Sequence, residues 1–258
     1  MKAKAKRQNN PATIIDKLKF LLSILILAGS FTWARAQVIL GSYLDIGETN
    51  VSEGAFIKNA YRGSYQYEKY MVEAGMQFDL MSNNPNIFTG LDLTGSREFI
   101  IGNFPFDVKG FFMLNRFSDI MYETDWGVGV ETRKPEHFLF ELGTFFRTYA
   151  INSGSRKEYD IEDSDSKLKE NFNLMYLAGA YLKPHDHYWN IGLSCTNVDY
   201  YIYSQSTNPG LNLQMKYRPK SNLTLYLETW YKRAGVLNIS ANYFGYFFRG
   251  GVKWEIGK

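Results

Sequence analysis

The feature that most constrains the fold of this chain is an alternation of apolar and polar residues in runs of about ten residues. In the run at 70–80, for example, Val72 and Met76 alternate with Glu73 and Gln77. A period of two places successive side chains on opposite faces of an extended strand, whereas a helix would need a period of 3.6. Twelve such runs follow one another after residue 36, separated by turn-like segments. The pattern predicts an all-β protein of about 12 antiparallel strands.

In the cores of these runs, charged residues occupy only one face. A charge placed in hydrocarbon costs roughly 2–4 kcal/mol at the bilayer midplane, so the uncharged face is suited to lipid and the charged face to a lumen. The predicted lumen-lining charged residues are Asp45, Arg62, Glu73, Asp79, Asp92, Asp107, Lys109, Glu123, Asp125, Glu131, Glu141, Arg147, Lys216, Glu228, Arg249, Lys253 and Glu255.

The number and length of the runs separate a membrane barrel from a soluble one. A soluble β-sandwich or small barrel also alternates, but with its apolar face inward. Eight strands already make a barrel just wide enough for side chains to fill, so a dozen with apolar side chains inside would enclose a void. A strand of ~9–11 residues also matches the length that crosses a bilayer at a tilt. The sequence therefore predicts a closed antiparallel transmembrane β-barrel with its apolar face toward lipid.

The connections between runs alternate in length, which predicts an up-and-down meander with both ends of the chain on one side. Short connections are predicted at 68–69, 134–136, 183–187 and 218–221, and longer ones at 49–55, 152–170, 200–208 and 233–245. Residues 237–243 alternate as well, so the strand number is open between about 10 and 14.

Residues 1–36 have the composition of a cleavable signal peptide. A basic segment precedes an apolar run at 20–28, and Ala34-Arg35-Ala36 supplies a small-x-small cleavage pattern. This segment contains seven of the 29 basic and one of the 26 acidic side chains, which leaves 22 and 25 and a net charge of −3 for residues 37–258. The net positive charge therefore belongs to the leader, and we expect no nucleic-acid partner.

The sequence offers no catalytic constellation and no defined metal site. The histidines, His137, His185 and His187, all lie in or beside short turns, away from a serine on the charged face. His185 and His187 are fewer than the three or four ligands of a defined site, and the acidic segment 160–165 lacks the spacing of a calcium loop. We expect neither an enzyme, a cofactor nor a bound metal.

The whole pattern resembles bacterial outer-membrane β-barrel proteins of a porin-like kind, without a motif of a particular subfamily. The resemblance rests on the leader, the tyrosine- and phenylalanine-rich strands, the short proline-containing turns and a last strand ending Gly251-Val252-Lys253-Trp254-Glu255-Ile256. It implies localisation in the outer membrane, contact with outer-membrane lipid, and insertion by the barrel-insertion machinery.

The charged residues of the predicted lumen are the part of the sequence that bears on function. Its 17 charged residues comprise eleven acids and six bases, which favours a narrow passive pore for small solutes or ions with a weak preference for cations. The alternative is a non-conducting structural, adhesion or accessory barrel that acts through extracellular loops and partner proteins.

Overall fold

The fold was analysed in a computed structural model. It describes residues 36–49, 55–80, 88–116, 121–132, 137–151, 167–184, 187–197, 210–233 and 244–256. The signal peptide, the acidic segment 160–165, His185 and the ambiguous segment 237–243 therefore lie outside the described residues, apart from Ala36.

Twelve strands form one closed antiparallel barrel in which each strand pairs with its neighbours in the chain and β12 returns to β1. This confirms the predicted fold class. The strands are β1 (Ala36–Thr49), β2 (Ala55–Tyr67), β3 (Tyr70–Asp79), β4 (Phe88–Ile101), β5 (Phe104–Arg116), β6 (Met121–Thr132), β7 (Phe138–Ile151), β8 (Lys167–Tyr181), β9 (Trp189–Thr196), β10 (Gly210–Lys220), β11 (Leu223–Arg233) and β12 (Phe244–Ile256).

The ladder between β1 and β12 closes the barrel. Its register runs from Val38 opposite Ile256 to Thr49 opposite Gly245. In hydrocarbon an unpaired backbone donor or acceptor costs several kcal/mol, so a spanning sheet must have no open edge. Long-range pairing of the first and last strands satisfies that requirement.

The two ends of the barrel differ in their connections. Two-residue turns join β2 to β3, β4 to β5 and β10 to β11, and both β1 and β12 have their terminal ends on this side, here called the short-turn end. The opposite side, here called the loop end, has connections such as 152–166 and 234–243. Gly102 has φ 61° in the turn between β4 and β5, a left-handed conformation that glycine adopts without steric cost.

The outer surface is apolar. Its side chains alternate with buried ones along each strand, and many are strongly exposed, among them Val72, Val128, Leu142, Leu193 and Leu227. A soluble protein would not expose a continuous apolar band of this extent. No helix among the described residues is long and apolar enough to cross a membrane.

Several strands extend beyond the alternating runs of the sequence, most clearly β8 and β4. β8 begins at Lys167 rather than near Phe172, because its backbone continues to pair with β7 as far as Ala150. β4 extends to Ile101 and places Arg97 on the outer face. The guanidinium of Arg97 lies over the rings of Tyr70 and Phe99, 5.2 and 4.9 Å from their centroids, close to the short-turn end.

Candidate functional site: the inner face of the barrel

The 17 predicted charged residues all lie on the face opposite the exposed apolar side chains, and none of them is exposed. Asp45, Asp92, Asp107, Glu123, Asp125, Glu141, Arg147, Lys216, Glu228 and Arg249 are buried. Arg62, Glu73, Asp79, Lys109, Glu131, Lys253 and Glu255 are half-buried.

Three further charged residues lie on this face and were missed in the sequence pattern. Lys58 lies opposite Asp79 near the loop end, and Glu98 lies opposite Asp107 near the short-turn end. Arg218 approaches Glu255 at 3.9 Å. Glu98 and Arg218 lie beyond the alternating cores of their runs, so only their strand pairing shows which way they face. Lys58 has the same two-residue parity as Arg62, so the alternation itself could have placed it on this face.

The Arg249 cluster (Arg249, Asp45, Glu228) joins β12, β1 and β11. Arg249 forms a two-pronged hydrogen bond to Asp45, with Nε–Oδ1 at 2.7 Å and Nη2–Oδ2 at 3.0 Å. Its Nη1 lies 3.5 Å from Glu228 Oε2. Asp45 is directly opposite Arg249 in the β1–β12 ladder, so this cluster ties the first strand to the last.

The Arg62 cluster (Arg62, Glu73, Asp92) spans β2, β3 and β4. Arg62 contacts Glu73 at 2.7 Å and Asp92 at 3.0 Å. The side chains of Arg62 and Glu73 remain 16% and 17% exposed. Water therefore reaches two members of this cluster inside the barrel.

The Lys109 cluster (Lys109, Glu131, Glu141) lies near the short-turn end of β5, β6 and β7. Lys109 forms an ion pair with Glu131 and lies 3.2 Å from Glu141. Lys109 and Glu131 are 15% and 20% exposed. Glu131 and Glu141 face each other directly across the β6–β7 ladder, where the lysine offsets the repulsion of like charges.

The Arg147 cluster (Arg147, Asp125, Glu123) lies near the loop end of β6 and β7 and has different surroundings. Arg147 donates to Asp125 through Nε at 2.9 Å and Nη2 at 2.8 Å, and its Nε lies 3.3 Å from Glu123. Asn115 donates to Glu123 at 3.3 Å. The side chains of all three members are at most 2% exposed, so the cluster is closed to water.

Large side chains cover the inward glycines. A Cβ added to Gly127 would overlap Phe145, and one added to Gly129 would overlap the Met175 methyl group. The glycines therefore do not hold open space for water at these positions. They leave room for neighbouring large side chains close to the backbone of the wall.

The described histidines, His137 and His187, lie at the short-turn end of the barrel. His137 Nδ1 donates to the Tyr181 carbonyl oxygen at 3.0 Å, and the His187 ring packs near Trp189. Among the described residues, no group of three or more His, Cys, Asp or Glu is arranged to hold a metal ion.

Comparison with known proteins agrees with this architecture. No protein-family model and no curated protein sequence matches the chain. Among solved structures, an outer-membrane channel from Pseudomonas putida is similar, with a TM-score of 0.54, 10% identity, and coverage of 86% of this chain and 96% of that one.

Two further similar structures have lower TM-scores. The NanC porin has 0.49 at 13% identity, covering 83% of this chain and 100% of that one. The outer membrane phospholipase A from Escherichia coli has 0.41 at 11% identity, covering 83% and 89%. With the closed 12-strand sheet and the apolar exterior, the likeness to the Pseudomonas channel shows that this chain has a porin-like fold, a closed antiparallel β-barrel.

Proposed function

We propose that this barrel is a narrow passive pore for small solutes or ions in the outer membrane. The observation that supports this most directly is the exposure to water of inward charged groups. Arg62, Glu73, Lys109 and Glu131 are each 15–20% exposed although they point away from the outer surface. A barrel interior filled by side chains would shield them as completely as it shields the Arg147 cluster.

The size of the barrel is consistent with a narrow passage. Eight-stranded barrels are filled by side chains, while those of 16–18 strands enclose open channels. Twelve strands lie between these cases.

The charge of the inner face gives the proposed pore a weak preference for cations. Among the side chains that the structure describes, adding Lys58, Glu98 and Arg218 to the predicted set gives 12 acids and eight bases, a net charge of −4 for these residues. Rings of acidic side chains favour cations in pores. Because acids and bases are largely paired, the preference is expected to be small.

The proposal includes the route to the membrane. Residues 1–36 act as the leader that is removed on export, which makes residues 37–258 the barrel domain. The barrel-insertion machinery receives the chain, and lipid then contacts its apolar band. We propose no enzymatic activity, because the described histidines lie at the short-turn end without a nucleophile partner.

Single-channel recording in planar bilayers tests the pore. Residues 37–258 are refolded with all loops intact, and folding is verified by resistance of the barrel to denaturation in detergent. Discrete current steps are expected in potassium chloride. Absence of steps from correctly folded protein would contradict the pore and favour a structural barrel that acts through loops and partners.

A further inference from the structure

An aromatic group lies on the inner face of β11, β12 and β2. Trp230 and Phe247 are directly opposite each other in the β11–β12 ladder. Their rings stack nearly parallel, with centroids 5.7 Å apart and an interplanar angle of 6°. Phe56 packs against the same pair. Phe56 and Phe247 are buried, whereas Trp230 is only half-buried, so the indole retains an exposed part inside the barrel.

Polar groups border the indole. Its Nε1 donates to Glu228 Oε2 at 3.0 Å, and Gln214 donates to Glu228 Oε1 at 2.8 Å. On the β10 side, Asn212 is directly opposite Trp230 in the β10–β11 ladder. Gly210 adds no side chain next to the indole on that side. The result is an aromatic surface with planar polar groups along its edge, the composition of small-molecule sites.

One of these polar groups has an unsatisfied acceptor. Asn212 is only 6% exposed, and its Nδ2 lies 3.5 Å from Glu228, but its Oδ1 is buried without a hydrogen-bond partner. Buried side-chain oxygens are nearly always paired; this one is among eight unpaired side-chain atoms of the described residues, and it belongs to the residue directly opposite the half-exposed indole. A hydroxyl group from a bound solute would supply the missing donor.

The charges near the indole indicate which class of solute could bind there. Asp45 and Glu228 carry two negative charges against the single positive charge of Arg249, and all three are buried. Lys58, whose Nζ lies 5.2 Å from the Phe56 ring centroid, is directly opposite Asp79, so this pair adds no net charge. The net charge of −1 disfavours an acidic ligand. The free hydrogen-bonding capacity at Asn212 accepts rather than donates, which suits hydroxyl groups.

We propose that Trp230, Asn212 and Glu228 form a binding subsite for a neutral saccharide on the inner face of the barrel. The C–H face of a sugar ring lies on the exposed part of the indole, because aromatic rings offer a rigid apolar surface with polar edges. A sugar hydroxyl donates to Asn212 Oδ1, and a second hydroxyl can donate to Glu228. The subsite names a solute class for the proposed pore and rests on that function for its role in transport.

The test measures binding in two ways, so that failure of the pore and failure of the subsite can be told apart. Maltotriose and raffinose are titrated against the refolded barrel in detergent by calorimetry, which requires no conductance. The same sugars are then added to planar bilayers, where binding appears as brief interruptions of the ion current. Trigalacturonate serves as the acidic comparison probe.

Binding of at least one neutral sugar is expected, with Trp230→Ala weakening it about tenfold or more. Asn212→Leu should also weaken it, since the hydroxyl loses its acceptor. Trp126→Ala is the matched control: Trp126 stacks on Phe146 with centroids 4.6 Å apart, but on the outer face, so binding should be unchanged.

Three results would overturn the subsite. The first is that neither neutral sugar binds in calorimetry. The second is that a neutral sugar binds to Trp230→Ala with the same affinity as to the unsubstituted barrel. The third is that trigalacturonate binds more tightly than either neutral sugar. Calorimetric binding without current steps would leave the subsite standing and contradict the pore alone.

Discussion

The Lys109 cluster and the Arg147 cluster contain the same kinds of charged group but differ in their access to water. Each has one cation and two carboxylates on β5, β6 or β7. Lys109 and Glu131 are 15% and 20% exposed, whereas Arg147 and Asp125 are 2% and 0% exposed. The comparison shows that inward charge alone does not identify a pore-lining residue.

The cause of the difference is what packs around each cluster. The Arg147 guanidinium lies over the Phe145 ring, 5.2 Å from its centroid, and Phe145 packs with Phe111, Met113 and Met175 in an apolar group. The cluster is therefore enclosed and fixes the loop end of β6 and β7. The Lys109 cluster retains contact with water, so in the proposed pore it would act on permeating ions.

The largest expected effect comes from removing the enclosed cation. Arg147→Leu leaves Asp125 and Glu123 buried without a positive charge, which should lower the free energy of unfolding by about 3–5 kcal/mol. Urea titration in lipid vesicles measures it. Lys109→Met is the matched comparison and should cost less, about 1 kcal/mol, because water solvates part of the remaining charge.

The triple variant Arg147→Leu, Glu123→Gln, Asp125→Asn tests whether the loss of stability comes from the uncompensated charges of the buried carboxylates. It removes all three charges and should recover much of the lost stability, since no uncompensated charge remains. If Arg147→Leu and Lys109→Met destabilise the barrel equally, the distinction between the enclosed and hydrated clusters is wrong.

A middle-sized effect is expected at the glycine beneath the Arg147 cluster. Gly127→Ala places a methyl group into Phe145 and the Thr144 carbonyl, and overpacking of this kind costs about 1–3 kcal/mol. Gly95→Ala is the control, because an added Cβ there meets nothing within 4 Å. The same urea titration compares them, and equal stability of the two variants would contradict the close packing described for Phe145.

The smallest effect concerns selectivity. Glu131→Gln should reduce the preference for potassium over chloride by roughly two- to sixfold, because one charge at about 8 Å in a water-like dielectric acts with opposite sign on the two ions and is partly screened by salt. Reversal potentials in a potassium chloride gradient measure it. Glu123→Gln should shift the reversal potential less, because the Arg147 cluster is closed to water; a larger shift for Glu123→Gln would reverse the assignment.

Much of the fold was predictable because the bilayer imposes a simple rule on every strand. Val128 and Val130 must face lipid and Glu131 must not, so the two-residue period fixes both the strands and their faces. The strand number followed from counting such runs. The extension of β8 to Lys167 was not predictable, because backbone pairing continues there without an alternating sequence.

The inner face was less predictable than the outer one. Its charged residues could be placed on a face, but Glu123 and Glu131 look alike in sequence although only one is hydrated. Their difference depends on Phe145 and Met175, which come from other strands. Likewise, Trp230 had the inward parity in the sequence, but its stacking on Phe247 depends on the strand register.

The claim that the Lys109 and Arg62 clusters contact water inside the barrel, whereas the Arg147 cluster does not, is tested most directly with single cysteines. Their accessibility to a membrane-impermeant thiol reagent is measured. Cys195 is first replaced by serine, and cysteine is then introduced separately at Glu131, Glu73 and Glu123 in the refolded barrel. Rapid modification, with a stepwise fall in single-channel current, is predicted for the cysteines at 131 and 73, and slow modification for the one at 123. Equal modification rates at positions 131 and 123 would contradict the difference in hydration between the Lys109 and Arg147 clusters.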